Sequence, residues 1–191
     1  MTGFLCTPLP GTLVVYRSPV NARVHLSRRL EGRSCLGQQA GAYYISEDGW
    51  SLFATHLRAR FVPLDSMRAA SKNNRDMPII THTYDYPMPR DVGAGLRFGP
   101  WLYPLLLMYE VPRADWEVLA KVLIDRLFVL VRNMPLQNFH VVKTLGSLRP
   151  ADADPKVKSV DWLNEIHPTS AGYRQIASRF CAEVARQRML P

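Results

Sequence analysis

The chain has few cysteines and no long hydrophobic run, and both absences exclude classes of protein. The three cysteines, Cys6, Cys35 and Cys181, are odd in number and far apart, which argues against a disulfide framework and against the paired spacing of a zinc site. The longest apolar stretch, WLYPLLLMYEV from Trp101, contains a proline and is much shorter than the roughly 20 residues that cross a bilayer. The sequence therefore predicts no membrane span, and we expect neither a metal nor another cofactor.

A secretory signal is also missing from the sequence pattern. The first residues, MTGFLCTPLPGTLVV, lack the basic start and the continuous apolar core of such a signal, so we expect a cytoplasmic protein. Apolar residues make up 47% and charged residues 21% of the 191 positions. This is the composition of an ordinary globular protein, and the length is most simply that of one domain.

Acidic residues are fewer than basic ones, and the resulting net charge of +8 raises the question of nucleic-acid binding. The one dense basic patch lies at 17–33, where Arg residues are accompanied by a single acid, Glu31. Elsewhere the basic residues are spread along the chain, many beside acids, as on solvated helical faces. This distribution disfavours a nucleic-acid partner, which stays the third alternative and predicts retention on heparin.

Helical and strand patterns alternate from Ser46 onwards. Ser46 can cap a helix with an apolar stripe along one side, and Pro63 is expected to kink or interrupt that helix. Strands are predicted at Pro78–Thr83 and Phe139–Leu145, with a helix that begins near Asp115 between them. A last helix follows, capped by Thr169 or Ser170. The stripe of the first helix consists of Trp50, Phe53, Leu57, Phe61, Leu64 and Met67.

This alternation predicts an α/β fold with a parallel sheet covered by helices on both sides, a three-layer αβα arrangement. The predicted domain occupies residues 46–191, and residues 1–45 form a divergent or poorly ordered segment in which only TLVVY, at 12–16, resembles a strand. In such sheets ligands bind at the carboxyl ends of the strands. The segment HTYDYP, with Tyr84 and Asp85, and the loop that leads to His167 should therefore share one edge.

The segment DWLNEIHPTSAGY, from Asp161 to Tyr173, is the strongest candidate for chemistry. A histidine in a loop before a helix can project into a cleft, and imidazole is suited to proton transfer near neutrality. A general base also needs an acceptor for its second nitrogen, and the nearby candidates are Asn164, Glu165 and Asp161. The alternative is that His167 only packs or forms a structural hydrogen bond.

This segment resembles the last block of the SGNH (GDSL-type) hydrolases, which are esterases and lipases with a flavodoxin-like α/β fold. HTYDYPMP and FGPWLYP resemble a bacterial subset of them. The resemblance implies that His167 is the base and that position 164, Asn164 here, is that of the acid. Because an amide cannot neutralise an imidazolium, either Asp161 or Glu165 substitutes, or the site is a Ser–His dyad, or it is weakened. The implied substrate is a small-molecule or glycan ester.

The nucleophile of that family has no clear counterpart here. The chain contains neither Gly-Asp-Ser nor Gly-x-Asn-Asp, and the weak candidates are Ser18, Ser34 and Cys35. Both family blocks precede the strand that matches PIITHTY, yet residues 1–45 differ from them. We therefore hypothesise that the N-terminal part of the fold is absent or divergent. The two leading interpretations are a serine ester hydrolase and a non-catalytic remnant or interaction domain with the same fold.

Two further features near this edge have alternative interpretations. Asp85 and Tyr84 can bind substrate, but an aspartate before a proline more often fixes a turn. The glycine-rich DVGAGLRFG has no strand-to-helix context that would make it a phosphate-binding loop, and we expect a mobile lid instead.

Overall fold

The computed structural model describes residues 43–95 and 98–187. Helices and strands alternate through this part of the chain, as the sequence pattern predicts. In chain order the elements are helix α1 (Glu47–Ala70), strand β1 (Ile79–His82), helix α2 (Leu102–Met108), a 3-10 turn (Arg113–Asp115), helix α3 (Trp116–Arg132), strand β2 (Phe139–Val142) and helix α4 (Ser170–Arg186).

The sheet of the described residues consists of β1 and β2, which run parallel. Ile79 lies opposite Phe139 and His82 lies opposite Val142. Parallel neighbours require a crossover, and the chain between them contains α3. Both predicted strands and the helix between them are therefore confirmed, and the described part of the chain is a mixed helix and strand structure with a small parallel sheet, which is compatible with the predicted α/β class.

Helices contact side chains from both faces of this small sheet. Val142 is fully buried and packs with Val184 of α4, with Ile80 beside them. Phe139 is three positions from Val142 and so points to the opposite face. There its ring meets that of Phe61, on α1, edge to face at a centroid distance of 5.6 Å.

The largest apolar cluster lies between α2, α3 and the residues before α1. Helix α3 follows the predicted amphipathic pattern, with Trp116, Leu119 and Leu123 buried. Tyr44 and Ile45 are also buried in this cluster, although the predicted domain boundary falls directly after them. The complete set of buried members is Tyr44, Ile45, Leu102, Leu106, Val111, Trp116, Leu119, Ala120 and Leu123.

Helix α1 begins as predicted but is less buried than its stripe suggests. The Ser46 hydroxyl accepts a hydrogen bond from the Gly49 N–H at 3.3 Å, which is a helix N-cap. The helix continues past Pro63 without interruption. In the second half of the stripe, Leu64 and Met67 have exposed fractions of 51% and 71%, so the apolar stripe is not buried along its whole length.

Helix α4 begins immediately after the candidate histidine. The Thr169 hydroxyl caps it by accepting from the Gly172 N–H at 3.1 Å, and the Thr169 N–H donates to the Asp161 carbonyl. Trp162 and Pro168 form an isolated antiparallel bridge. The loop before α4 is therefore folded back on itself and fixed to the helix start. None of the described helices is long and apolar enough to span a membrane.

Candidate active site

The loops that leave β1 and β2 meet at one edge of the sheet. The carboxylate of Asp85, just after β1, accepts backbone N–H groups from Gly146 at 2.7 Å and from Leu148 at 2.8 Å, both just after β2. The Glu165 N–H donates to the Val92 carbonyl at 2.9 Å. The prediction that these loops share an edge is confirmed.

The contacts of Asp85 indicate a structural role. Its side chain is almost completely buried, and besides the two bonds across the loops it accepts the Tyr86 N–H at 2.7 Å. Three backbone donors occupy its two oxygens, which leaves little capacity for a substrate. Of the two interpretations of Asp85, this geometry favours the one in which it fixes the turn.

Tyr84 lies beside Asp85 with a half-buried ring. Its backbone has a φ of 71°, and its ring packs edge to face with Trp162 at 6.2 Å between centroids. Burial raises the pKa of the Tyr84 hydroxyl, and the nearby Tyr173 and Asp85 raise it further. The phenol therefore stays protonated at physiological pH.

His167 is oriented by Asn164. The Nδ1 atom of His167 is 3.1 Å from the Asn164 Oδ1 atom, and the same oxygen accepts the backbone N–H groups of Ile166 at 3.1 Å and His167 at 2.8 Å. Asn164 is only 1% exposed. The residue at the predicted acid position is therefore the one that contacts the imidazole.

These backbone bonds fix the tautomer of the imidazole. Two N–H donors must face the oxygen of the Asn164 amide and not its NH2 group, so the assignment of Oδ1 follows from the network. An oxygen can only accept, and Nδ1 of His167 must then carry the hydrogen. The lone pair of the neutral ring is left on Nε2, which is the arrangement of a general base.

Asp161, the second predicted partner of the imidazole, is bonded elsewhere. One carboxylate oxygen accepts from the Arg149 backbone N–H at 2.8 Å and from Arg149 Nε at 3.2 Å, and the other accepts from Gln175 Nε2 at 2.8 Å. Burial opposes ionisation, but these bonds outweigh it and lower the pKa of Asp161. Asp161 holds the loop and α4 together, and the prediction that it orients the ring is not supported by its contacts.

Glu165 connects the histidine loop to the segment before α2. Its buried carboxylate accepts the backbone N–H groups of Leu102 at 2.8 Å and Tyr103 at 2.7 Å, and that of Trp101. Burial raises the pKa of Glu165, while the hydrogen bonds from these N–H groups lower it. This carboxylate is also unavailable to the imidazole of His167.

Trp101 forms one wall beside the imidazole. Its ring meets that of His167 edge to face at 5.2 Å between centroids, and Glu165 holds its backbone in place. The sequence pattern did not predict the contact of Trp101 with His167. Nothing in the local pattern relates positions so far apart in the chain, since the pairing depends on a buried Glu165.

The nucleophile candidates Ser18, Ser34 and Cys35, and the basic patch 17–33, lie outside the described residues. Within the described part of the chain, the hydrogen bonds of the imidazole are with Asn164. The same part contains no group of three or more His, Cys, Asp and Glu residues that could hold a metal ion. No protein-family model matches the sequence, and it matches no curated protein and no solved structure.

Proposed function

We propose that this chain carries the base-bearing half of a serine ester-hydrolase site of the SGNH type, within a three-layer αβα fold with a flavodoxin-like sheet. The observation that supports it best is the pair of His167 and Asn164, in which Nδ1 is held as a donor and Nε2 is left with its lone pair. The pair follows the carboxyl end of β2, where α/β proteins place their ligands.

The proposed reaction uses His167 first as a base and then as an acid. Its Nε2 takes the proton of a serine hydroxyl while the serine oxygen bonds to the ester carbonyl carbon. The C–O bond to the alcohol then breaks, and the imidazolium returns the proton to the departing alcohol. In the second half, Nε2 takes a proton from water, the hydroxide attacks the acyl-enzyme, and the serine oxygen leaves with that proton.

Asn164 would orient the ring throughout but would not compensate its charge. Its oxygen holds the Nδ1–H, so the correct nitrogen faces the serine, but a neutral amide stabilises the imidazolium less than a carboxylate does. We therefore propose a slow esterase, acting on a small-molecule or glycan ester.

Hydrolysis of p-nitrophenyl acetate by the purified full chain tests this proposal. We expect His167→Ala to abolish turnover, while His56→Ala, an exposed histidine on α1, serves as the matched control and leaves it unchanged. Equal rates in wild type and His167→Ala would refute the role of His167. A fluorophosphonate probe, followed by peptide mass spectrometry, should label one serine and so identify the nucleophile.

The second candidate is a non-catalytic remnant or interaction domain with the same fold. The observation that favours it is the structural engagement of Asp85, Asp161 and Glu165, whose carboxylates all bind groups other than the imidazole. This alternative predicts no labelling by fluorophosphonate at high dose and no turnover above that of imidazole in solution.

A further inference from the structure

An open cleft lies between the loop after β2 and the first three turns of α4, and its lining carries positive charge. It is shallow and largely open to solvent, with a volume of about 680 Å³. The lining residues are Gly146, Ser147, Ala171, Arg174, Gln175, Ser178 and Arg179. Two arginines, the Ser178 hydroxyl and the Gln175 amide supply hydrogen-bond donors, and none of the lining residues is acidic. The Ser147 hydroxyl already donates to the Thr144 carbonyl, and one Gln175 N–H already donates to Asp161.

Hydrogen bonds hold the Arg179 guanidinium in place but use only some of its N–H donors. Its Nη1 donates to the Leu145 carbonyl at 3.1 Å and to the Ser147 hydroxyl at 3.3 Å. A guanidinium has five N–H donors, and these two contacts leave Nε and Nη2 without a hydrogen-bond partner among the described residues. The contacts tie Arg179 to the loop after β2, which Asp85 holds through Gly146, so this donor group is positioned before any ligand arrives.

The second cation, Arg174, is not neutralised within the described part of the chain. It is exposed and forms neither a hydrogen bond nor an ion pair with another described residue. Glu183, the one acid on α4, is bonded to Arg186 and to Gln187. The nearby carboxylate of Asp161 is already paired with Arg149. Arg179 helps to lower the pKa of Glu183 and is partly compensated by it, so Arg174 carries the uncompensated charge among the described residues.

We propose that this cleft binds the phosphate group of a small phosphate monoester. A monoester phosphate offers three acceptor oxygens and nearly two negative charges at neutral pH. Two guanidinium groups and the Ser178 hydroxyl in one lining match that chemistry in charge and in donors. The site does not depend on the hydrolase proposal, because it uses none of the groups around His167.

A titration followed by ¹H–¹⁵N correlation spectra of the full chain tests the site. The probes are O-phosphoserine and inorganic phosphate, with sodium chloride holding the ionic strength constant and acetate as a singly charged comparison. We expect saturable shifts centred on the amides of Gly146, Ser147 and the first turns of α4. Both phosphate probes should bind more tightly than acetate.

The decisive variants are Arg174→Gln and Arg60→Gln. Both remove one positive charge from an exposed position without a described partner, so both should fold. Arg174→Gln should weaken phosphoserine binding about ten-fold or more, because it removes a charge-assisted contact, whereas Arg60→Gln on α1 should bind as the wild type does. Equal weakening in both variants, tighter binding of acetate, or no saturable shift at low salt would each overturn the proposal.

Discussion

At the scale of single residues, the buried acids near the candidate site accept hydrogen bonds from backbone N–H groups. Asp85, Asp161 and Glu165 are at most 1% exposed, and each accepts at least one backbone N–H from another segment. A buried carboxylate is costly unless hydrogen bonds compensate it. These acids therefore hold the loops that position His167, and their substitution should reduce stability before it affects chemistry.

Asp85→Asn tests this role. One amide oxygen can still accept the N–H groups of Tyr86 and Gly146, but the new NH2 group then faces the Leu148 N–H, which is also a donor. We expect a loss of about 2 kcal/mol in the free energy of unfolding, since a buried donor loses its acceptor. Chemical denaturation measures it, and Asp76→Asn, at an exposed position whose side chain has no hydrogen-bond partner among the described residues, is the matched control. Equal effects of the two substitutions would contradict the structural role of Asp85.

Asn164→Asp should improve the proposed site. The Nδ2 atom of Asn164 is buried without a hydrogen-bond partner among the described residues, so the oxygen that replaces it also lacks a donor and the substitution should lower stability. The new carboxylate keeps the bonds that Oδ1 now accepts and also compensates the imidazolium. We expect turnover of p-nitrophenyl acetate to rise about ten-fold or more. A rise that persists in the double variant with His167→Ala would show that it does not act through the histidine.

At the scale of elements, α4 lies so close to the histidine loop that only glycine fits at position 172. A Cβ atom there would lie 2.3 Å from the Asp161 carbonyl oxygen. At an exposed position inside a helix, alanine stabilises the protein by about 1 kcal/mol relative to glycine. Here the close contact should make alanine the less stable residue. We expect Gly172→Ala to lose about 1–3 kcal/mol of stability.

The inverse substitution Ala177→Gly supplies the control for Gly172→Ala. Ala177 is exposed on the same helix, so its change reports helix propensity without a contact. Thermal unfolding of both variants should show alanine favoured at 177 and glycine favoured at 172. If Gly172→Ala were stabilising, α4 would not approach the Asp161 carbonyl as described.

His82, the last residue of β1, should make the free energy of unfolding depend on pH. His82 Nδ1 accepts the Tyr84 N–H at 3.1 Å, a bond that a protonated ring cannot accept. Partial desolvation lowers the pKa of His82, although part of its side chain is exposed. A lowered pKa in the folded state means that the unfolded state binds protons first. The contribution of His82 is therefore complete above its ordinary pKa of about 6.5 and is lost as the pH falls below it.

Unfolding temperatures between pH 5 and pH 7 measure this contribution. The wild type should lose stability on acidification, and His82→Gln should lose less, because the titrating group is gone. His56→Gln, an exposed histidine on α1, should keep the wild-type slope. Identical slopes in wild type and His82→Gln would exclude His82 as the source.

Elements were predictable wherever a local pattern carries the signal. The apolar period of α3, the β-branched run Ile79–Thr81 and a capping residue at Thr169 or Ser170 are all local signals. The structure confirms them, with Thr169 as the cap. Helix α2 was not predicted, because its apolar sequence with Pro104 has no polar face to set a period. The exposure of Leu64 does not follow from the apolar stripe, since burial depends on which element covers a helix.

In the candidate site, too, contacts between residues close in sequence could be predicted, whereas contacts between distant segments could not. His167 and Asn164 are three residues apart, and their hydrogen bond could be anticipated from the sequence. The contacts of Glu165 with Trp101 and of Asp85 with Gly146 join segments about 60 residues apart. Such pairs depend on the order of the strands and on the loop paths, which single-residue patterns do not encode.

At the scale of the whole molecule, the packing around Tyr44 bears on where the folded domain begins. Tyr44 is 7% exposed, belongs to the same cluster as Leu119 of α3, and its hydroxyl donates to the Asp115 carboxylate at 3.2 Å. If the domain began at residue 46, Tyr44→Ala would leave the unfolding transition unchanged. If Tyr44 is part of the cooperative core, the loss should be about 3–5 kcal/mol, comparable with that of Leu119→Ala. Leu52→Ala, at an exposed position on α1, should have little effect, and denaturation of the three full-length variants decides between the two boundaries.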